Sequence, residues 1–136
     1  MFSFFKKKKI VPHIKLSGVI GNVGKFKQGI DFSGQEEIIA KAFALKKAPC
    51  VAITINSPGG SVSATNKIYN LINDFKKDTK IPIYFHTSSM LASGGYWLSL
   101  SGDKIFASFI ISDLYFTSCF GRFGIWIVTG TRALDV

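Results

Sequence analysis

Two glycine-rich turns hold the residues with the most chemistry to offer. The first is Asn56-Ser57-Pro58-Gly59-Gly60 and the second is Ala92-Ser93-Gly94-Gly95. A serine hydroxyl is a weak nucleophile at neutral pH and needs a base beside it. It also needs N–H donors aimed at the oxyanion that develops, and removing one such donor costs roughly 10²–10³ in rate. Ser93 stands between small residues, after an apolar run and before a helix-like one. That position suits a hydroxyl held at a sharp turn, with the Gly94 N–H beside it. Gly59 and Gly60 can bring a second donor, because a residue without a Cβ lets the backbone approach a substrate closely. The expectation is that the two turns meet and form two walls of one acyl-transfer site. Either turn alone is an ordinary strand-end turn. The pair, in this order and with these neighbours, argues for chemistry.

The elements that must position these turns alternate. Ile14, Leu16 and Ile20 alternate with polar or small residues over 13–20, which predicts a strand. Residues 21–29 hold three glycines and read as a loop. Ser33-Gly34-Gln35-Glu36 fits a capping box, opening a helix to about Lys47 that buries Ile39, Ala42 and Phe43. Lys46 and Lys47 suit its C-terminal end, and Pro49 stops it. Val51-Ala52-Ile53-Thr54-Ile55 is apolar on both parities, as in a parallel strand covered on both faces. Ser61 suits an N-cap for a helix over about 62–77, with Ile68, Leu71, Ile72 and Phe75 as its buried stripe. A strand over 81–85 follows. After the Ser93 turn come a helix through Tyr96, Trp97, Leu98 and Leu100, a turn at Gly102-Asp103, and a strand at Lys104-Ile105-Phe106-Ala107. This order is the α/β pattern. Ligands in such sheets sit beyond the carboxyl ends of the strands, where both glycine turns fall.

The 136 residues suffice for one small domain or a fragment of a larger one. A hydrophobic fraction of 47% and a mean hydropathy of +0.27 exclude a disordered chain. No uninterrupted apolar segment reaches the ~20 residues of a membrane-spanning helix. Cys50 and Cys119 make no disulfide or zinc motif, and Cys50, before a strand-like run, reads as a buried free thiol. No metal and no cofactor is implied. The net charge of +9 is concentrated in Lys6 to Lys9, after Met1-Phe2-Ser3-Phe4-Phe5. Such a tail is either a solvated terminus or a contact with an anionic membrane face, at about 1 kcal/mol per basic residue. The order of charge and apolar residues is wrong for a secretory signal. The remaining lysines form no stripe, which argues against nucleic acid.

Ile55-Asn56-Ser57-Pro58-Gly59-Gly60-Ser61-Val62, Ala92-Ser93-Gly94-Gly95-Tyr96-Trp97-Leu98 and Gly102-Asp103-Lys104-Ile105-Phe106-Ala107 together resemble the signal peptide peptidase A (protease IV) family of serine endopeptidases. Leu16-Ser17-Gly18-Val19-Ile20-Gly21 is similar to that family's first core strand. The Asn-Ser-Pro-Gly-Gly turn alone also fits the Clp protease proteolytic subunit, but Ser93-Gly94-Gly95-Tyr96 favours protease IV. The resemblance implies an α/β, ClpP/crotonase-like fold, mainly a parallel sheet with flanking helices, incomplete at the C-terminus. It implies Ser93 as nucleophile, oxyanion-hole backbone at Gly59, Gly60 and Gly94, and a desolvated lysine as base. It further implies a peptide substrate such as a remnant signal peptide, a homo-oligomer in the intact family, and a location in the cytoplasm or peripheral to the inner membrane.

Lys104 alone among the lysines follows Ser93, and it matches the family's Gly-Asp-Lys turn and not the base. Lys25 and Lys27 match no catalytic position. His13 and His86 read as structural. Three parts are therefore expected: a basic tail over 1–12, a protease IV-like core over 13–108, and an atypical segment over 109–136. The last carries Arg122 and Arg132 but no lysine, against fifteen lysines and no arginine before it, and reads as a replaced C-terminus without strand or helix period. With the base missing, little peptide hydrolysis is expected of this chain. The alternative is a non-catalytic fragment that associates with homologous subunits. A crotonase-type acyl-thioester enzyme, binding coenzyme A, is a third reading.

Overall fold

The computed structural model describes residues 9–22, 29–87, 89–108, 125–129 and 132–134. The elements in chain order are β1 (His13–Ser17), β2 (Val19–Ile20), β3 (Gly29–Ile30), α1 (Phe32–Phe43), β4 (Val51–Asn56) and α2 (Val62–Thr79). There follow β5 (Ile83–Thr87), α3 (Gly94–Ser99), β6 (Lys104–Ser108), β7 (Ile125–Thr129) and β8 (Arg132–Leu134). The main sheet has the order β1-β4-β5-β6-β7-β8. Its first five strands run parallel and β8 closes it antiparallel. β2 and β3 make a separate parallel pair.

The core lies on one side of this sheet. Ile14 and Leu16, Val51, Ile53 and Ile55, Ile83 and Phe85, and Ile105 are buried together with Ile39, Phe43, Ile68, Ile72 and Leu98 of the helices. Residues of the other parity are less covered: Ala52, Thr54, Tyr84 and Phe106 are half-buried, and His13, Lys15 and His86 are exposed. The expected two-sided burial of β4 is therefore complete on the helix side only. On the other side Tyr84 and Phe106 meet edge to face at 6.0 Å, and His13 Nε2 lies 2.8 Å from Thr54 Oγ1 across β1 and β4.

Helix α1 begins differently from the capping-box expectation. Asp31 is the N-cap; its carboxylate accepts from Gly34 N and from Ser33 Oγ, both at 3.0 Å. One ionised group thus takes both donors, which leaves Ser33 inside the helix. Those bonds hold the Asp31 carboxyl below its usual range, the Gly34 N–H contributing most and the Ser33 hydroxyl next. The helix ends at Phe43, short of Lys47, and a turn closed by Ala48 N to Leu45 O at 2.8 Å follows. Helix α2 has the expected N-cap, Ser61 Oγ accepting from Ala64 N at 3.3 Å, and continues to Thr79 with Lys80 left-handed at φ 55°. β5 starts at Ile83, two residues later than expected, because Pro82 has no N–H to give a ladder.

Two further expectations are corrected. Cys50 is a free thiol but only half-buried. The 109–136 segment, expected to lack strand character, contributes β7 and β8, with Ile105 in register with Ile125 and Ile127 with Leu134. Cys119, Lys25, Lys27, Arg122 and Lys6 to Lys8 of the basic run lie outside the described residues.

Candidate active site

β4 and β5 are parallel neighbours, so their carboxyl ends reach the same edge of the sheet. Beyond that edge the pairing continues as a parallel bridge between Ser57 and Leu91. Ser57 N donates to Met90 O at 2.9 Å, Ala92 N donates to Ser57 O at 3.1 Å, and Asn56 Oδ1 accepts from Met90 N at 3.1 Å. The approach to Ser93 is thereby laid along the approach to Gly59. A second bridge joins Ile20 to Gly60. There Ile20 N donates to Gly59 O at 2.9 Å, and Ser61 N to Ile20 O at 2.7 Å.

The two turns touch. A Cβ added to Gly59 would stand 2.8 Å from both Gly94 N and Ser93 Cβ. One added to Gly94 would stand 3.6 Å from Gly60 N and 2.7 Å from Thr65 Oγ1. One added to Gly60 would collide with the Ile20 carbonyl oxygen. The glycines are what let three backbones share this space. Gly59 and Gly60 also hold φ of 100° and 151°, which side chains other than hydrogen rarely allow.

Ser93 is exposed and has φ 49° and ψ −123°. A non-glycine residue in that region stores about 1–3 kcal/mol of strain, held only where its surroundings over-determine it. Here Gly95 N bonds back to Ala92 O at 2.9 Å, and Trp97 N bonds to Ser93 O at 3.0 Å, starting α3. A strained strand-to-helix turn of this kind projects a serine hydroxyl outward. Among the described residues neither Gly60 N–H nor Gly94 N–H has a hydrogen-bond partner. Gly59 N–H does: it donates to Ser57 Oγ at 3.1 Å. Of the three glycines expected to present amide protons, Gly60 and Gly94 have theirs unengaged, and Gly59 supplies close approach.

Among the described residues no lysine or histidine is placed beside Ser93 by a contact or by strand register. Lys104 opens β6 in register with Tyr84, whereas the Ser93 turn follows the far end of β5 at Thr87. Lys76 Nζ pairs with Asp103 Oδ1 at 2.8 Å and donates to Ser101 O at 3.2 Å. Lys67 Nζ lies 6.0 Å from the centre of the Phe32 ring. His13 begins β1, on the edge of the sheet away from the turns. His86 is exposed on the parity of β5 that faces away from the core. Sequence reasoning also passed over Ser57 and Thr65. Thr65 is buried and its hydroxyl donates to Ser61 O at 2.8 Å. Its spacing from Ile68 and Ile72 puts it on the stripe that faces the core, a signal that was available.

The parallel sheet with its flanking helices is the ClpP-like fold. The sequence matches the Clp protease family over residues 25–108, and the chain belongs to that family. A ClpP1 variant from Listeria monocytogenes superposes with a TM-score of 0.50 at 23% identity, covering 71% of this chain and 50% of that one. The membrane-bound stomatin-specific protease 1510-N superposes with a TM-score of 0.51 at 19% identity, covering 74% and 44%. These two speak to fold. In sequence, a putative signal peptide peptidase SppA of Enterococcus faecium is 31% identical over 134 residues, 87% of this chain and 38% of that protein. Protease 4 of Haemophilus influenzae is 37% identical over 70 residues, 52% and 11% of the two chains. A Brucella melitensis protein named Na(+)/H(+) antiporter NhaA is 37% identical over 98 residues, 71% of this chain but 13% of that protein. The chain thus spans well under half the length of these curated relatives. Among the described residues no helix is long and apolar enough to cross a membrane.

Proposed function

We propose that this chain carries the nucleophile and oxyanion half of a serine endopeptidase of the signal peptide peptidase A type. Ser93 Oγ attacks the carbonyl carbon of a peptide bond and forms an acyl-enzyme as the amine leaves. The oxyanion of the tetrahedral intermediate accepts from Gly60 N–H and Gly94 N–H. A water then releases the acid and returns the serine. The observation that carries this reading is the contact between the two turns at a strained, exposed serine.

The reaction needs a group that takes the Ser93 proton and returns it to the leaving amine. In this reading it is a neutral lysine, its pKa lowered by desolvation, and none of the lysines among the described residues takes that place. The positions of Lys104 and Lys76 support that view. The name of the SppA relative favours a peptide such as a remnant signal peptide as substrate, and a lysine-to-alanine variant of 1510-N forms a complex with a substrate peptide. Assembly with further copies, a peripheral membrane contact through the basic 1–12 tail, and a replaced segment over 109–136 belong to the same proposal.

The test is labelling with a serine-reactive phosphonate across pH, the site read by mass spectrometry. Labelling of Ser93, absent in Ser93→Ala, is the expected result. With no base, its rate climbs steadily with pH; a lysine base gives a plateau with an inflection at the lysine pKa. Appreciable Ser93-dependent peptide hydrolysis by the purified chain overturns the missing base. No labelling of a folded chain supports a second reading, the non-catalytic fragment, which the distance of Lys104 and the engagement of Lys76 favour.

A further inference from the structure

Ser57 has no part in the attack, yet every polar group it owns is committed to holding the site. The residue is fully buried. Its hydroxyl donates to Gly18 O at 2.7 Å and accepts from Gly59 N at 3.1 Å. Its backbone N–H and carbonyl hold Met90 and Ala92, the strand that leads into Ser93. A Cβ added to Gly95 would come within 3.0 Å of Ser57 O and 3.1 Å of Ser57 Cβ, so the first turn of α3 also rests on it. Three segments that are remote in sequence, at Gly18, at Gly59 and at Met90 to Gly95, are joined through this one side chain and its peptide groups.

The hydroxyl has a further consequence for the choice of donor. With the Gly59 N–H taken by Ser57 Oγ, and Gly59 O and Ser61 N held by Ile20, Gly60 lies between two anchored residues with its own N–H unspent. We infer that Ser57 is a positioning residue for acyl transfer: its hydroxyl selects Gly60 N–H as the second oxyanion donor and fixes it against the Ser93 turn. This inference rests on the reading of Ser93 and Gly60 as an acyl-transfer pair. Without the hydroxyl, the Gly59 N–H is a buried donor in want of an acceptor, and the turn can relax by rotating the Pro58–Gly59 peptide that carries it, which shifts Gly59 and the peptide after it. That relaxation moves Gly60 N–H, and a displacement of about 1 Å in a reacting group is worth on the order of 10²-fold in rate.

The experiment compares the full 136-residue chain with Ser57→Ala and with Asp103→Ala, a destabilised control beside Ile83 at the end of β5 away from the turns. Each is treated with the phosphonate, the rate of Ser93 labelling is measured, and the melting temperature is recorded. The expected result is an unlabelled or at least tenfold slower Ser57→Ala beside an Asp103→Ala that labels as the unsubstituted chain does. Equal labelling of Ser57→Ala and the unsubstituted chain overturns the positioning role alone. An unlabelled, folded unsubstituted chain overturns the reading of Ser93 and this role with it. Should Ser57→Ala fail to fold, amide hydrogen exchange on the unsubstituted chain decides: Gly59 N–H protected and Gly60 N–H fast supports the role, and both fast overturns it.

Discussion

At Gly60 a single hydrogen atom separates a working turn from a broken one. Any Cβ there meets the Ile20 carbonyl oxygen and stands 2.7 Å from Ile20 N, at a φ of 151°. Gly60→Ala is therefore expected to lower stability by more than about 1 kcal/mol, read as a lower urea midpoint. It is also expected to lose most Ser93 labelling in the fraction that remains folded. Labelling at the unsubstituted rate would separate Gly60 from the chemistry. That the two glycine turns meet was legible in the sequence, because each follows an apolar run of the same parallel pair and so falls at one edge of the sheet. The use of the Gly59 N–H was not legible. It depends on where the Ser57 hydroxyl points, and a serine in a Ser-Pro-Gly turn reads equally well as solvated.

Among the elements, α1 shows how local competition decides a boundary. Ser33 and Glu36 form a respectable capping box on paper, yet the Asp31 carboxylate collects two donors at 3.0 Å and starts the helix earlier. A charged acceptor at a helix N-terminus outbids a hydroxyl. Asp31→Ala is expected to cost about 1 kcal/mol at neutral pH. Because folding lowers the Asp31 pKa, this contribution is fully present above the unfolded value of about 3.9 and disappears as pH falls through the folded value. The difference between the two proteins should thus shrink below about pH 4 in denaturant titrations; a constant difference down to pH 2 would contradict the cap.

The Gly102-Asp103 turn offers a second contrast. Asp103 Oδ2 accepts from Ile83 N at 2.8 Å, Asp103 N donates to Ile83 O at 2.7 Å, and Lys76 completes the group. Removing the carboxylate leaves the N–H of the fully buried Ile83 without its acceptor, so Asp103→Ala should cost about 1–3 kcal/mol. Lys76→Ala breaks a partly exposed pair and should cost about 1 kcal/mol or less. The reverse order in thermal melts would show that the ion pair, and not the backbone bond, holds the turn.

Across the whole molecule, the order of strands and helices was readable because each apolar run kept its period and each turn its glycine or proline. Burial was read too symmetrically. Val51 to Ile55 looks apolar on both parities, but the core of helices gathers on one side, and Thr54 and Tyr84 are left half-covered on the other. The strands β7 and β8 escaped notice because Ile125 to Thr129 follows a run of aromatics and glycines that masks its period. At this scale the lysines are also informative. Lys104 belongs to the edge of the sheet opposite the turns, so Lys104→Ala should leave Ser93 labelling within about twofold, since a base must lie within hydrogen-bond reach of its proton. A large loss of labelling would make Lys104 a candidate base, against its place in the Gly-Asp-Lys turn.

The most direct measurement is a crystal structure of the phosphonate-treated chain. The account predicts phosphorus bonded to Ser93 Oγ, with one phosphoryl oxygen at about 2.7–3.1 Å from both Gly60 N and Gly94 N. A phosphoryl oxygen turned to solvent, or an adduct on any other residue, would contradict it.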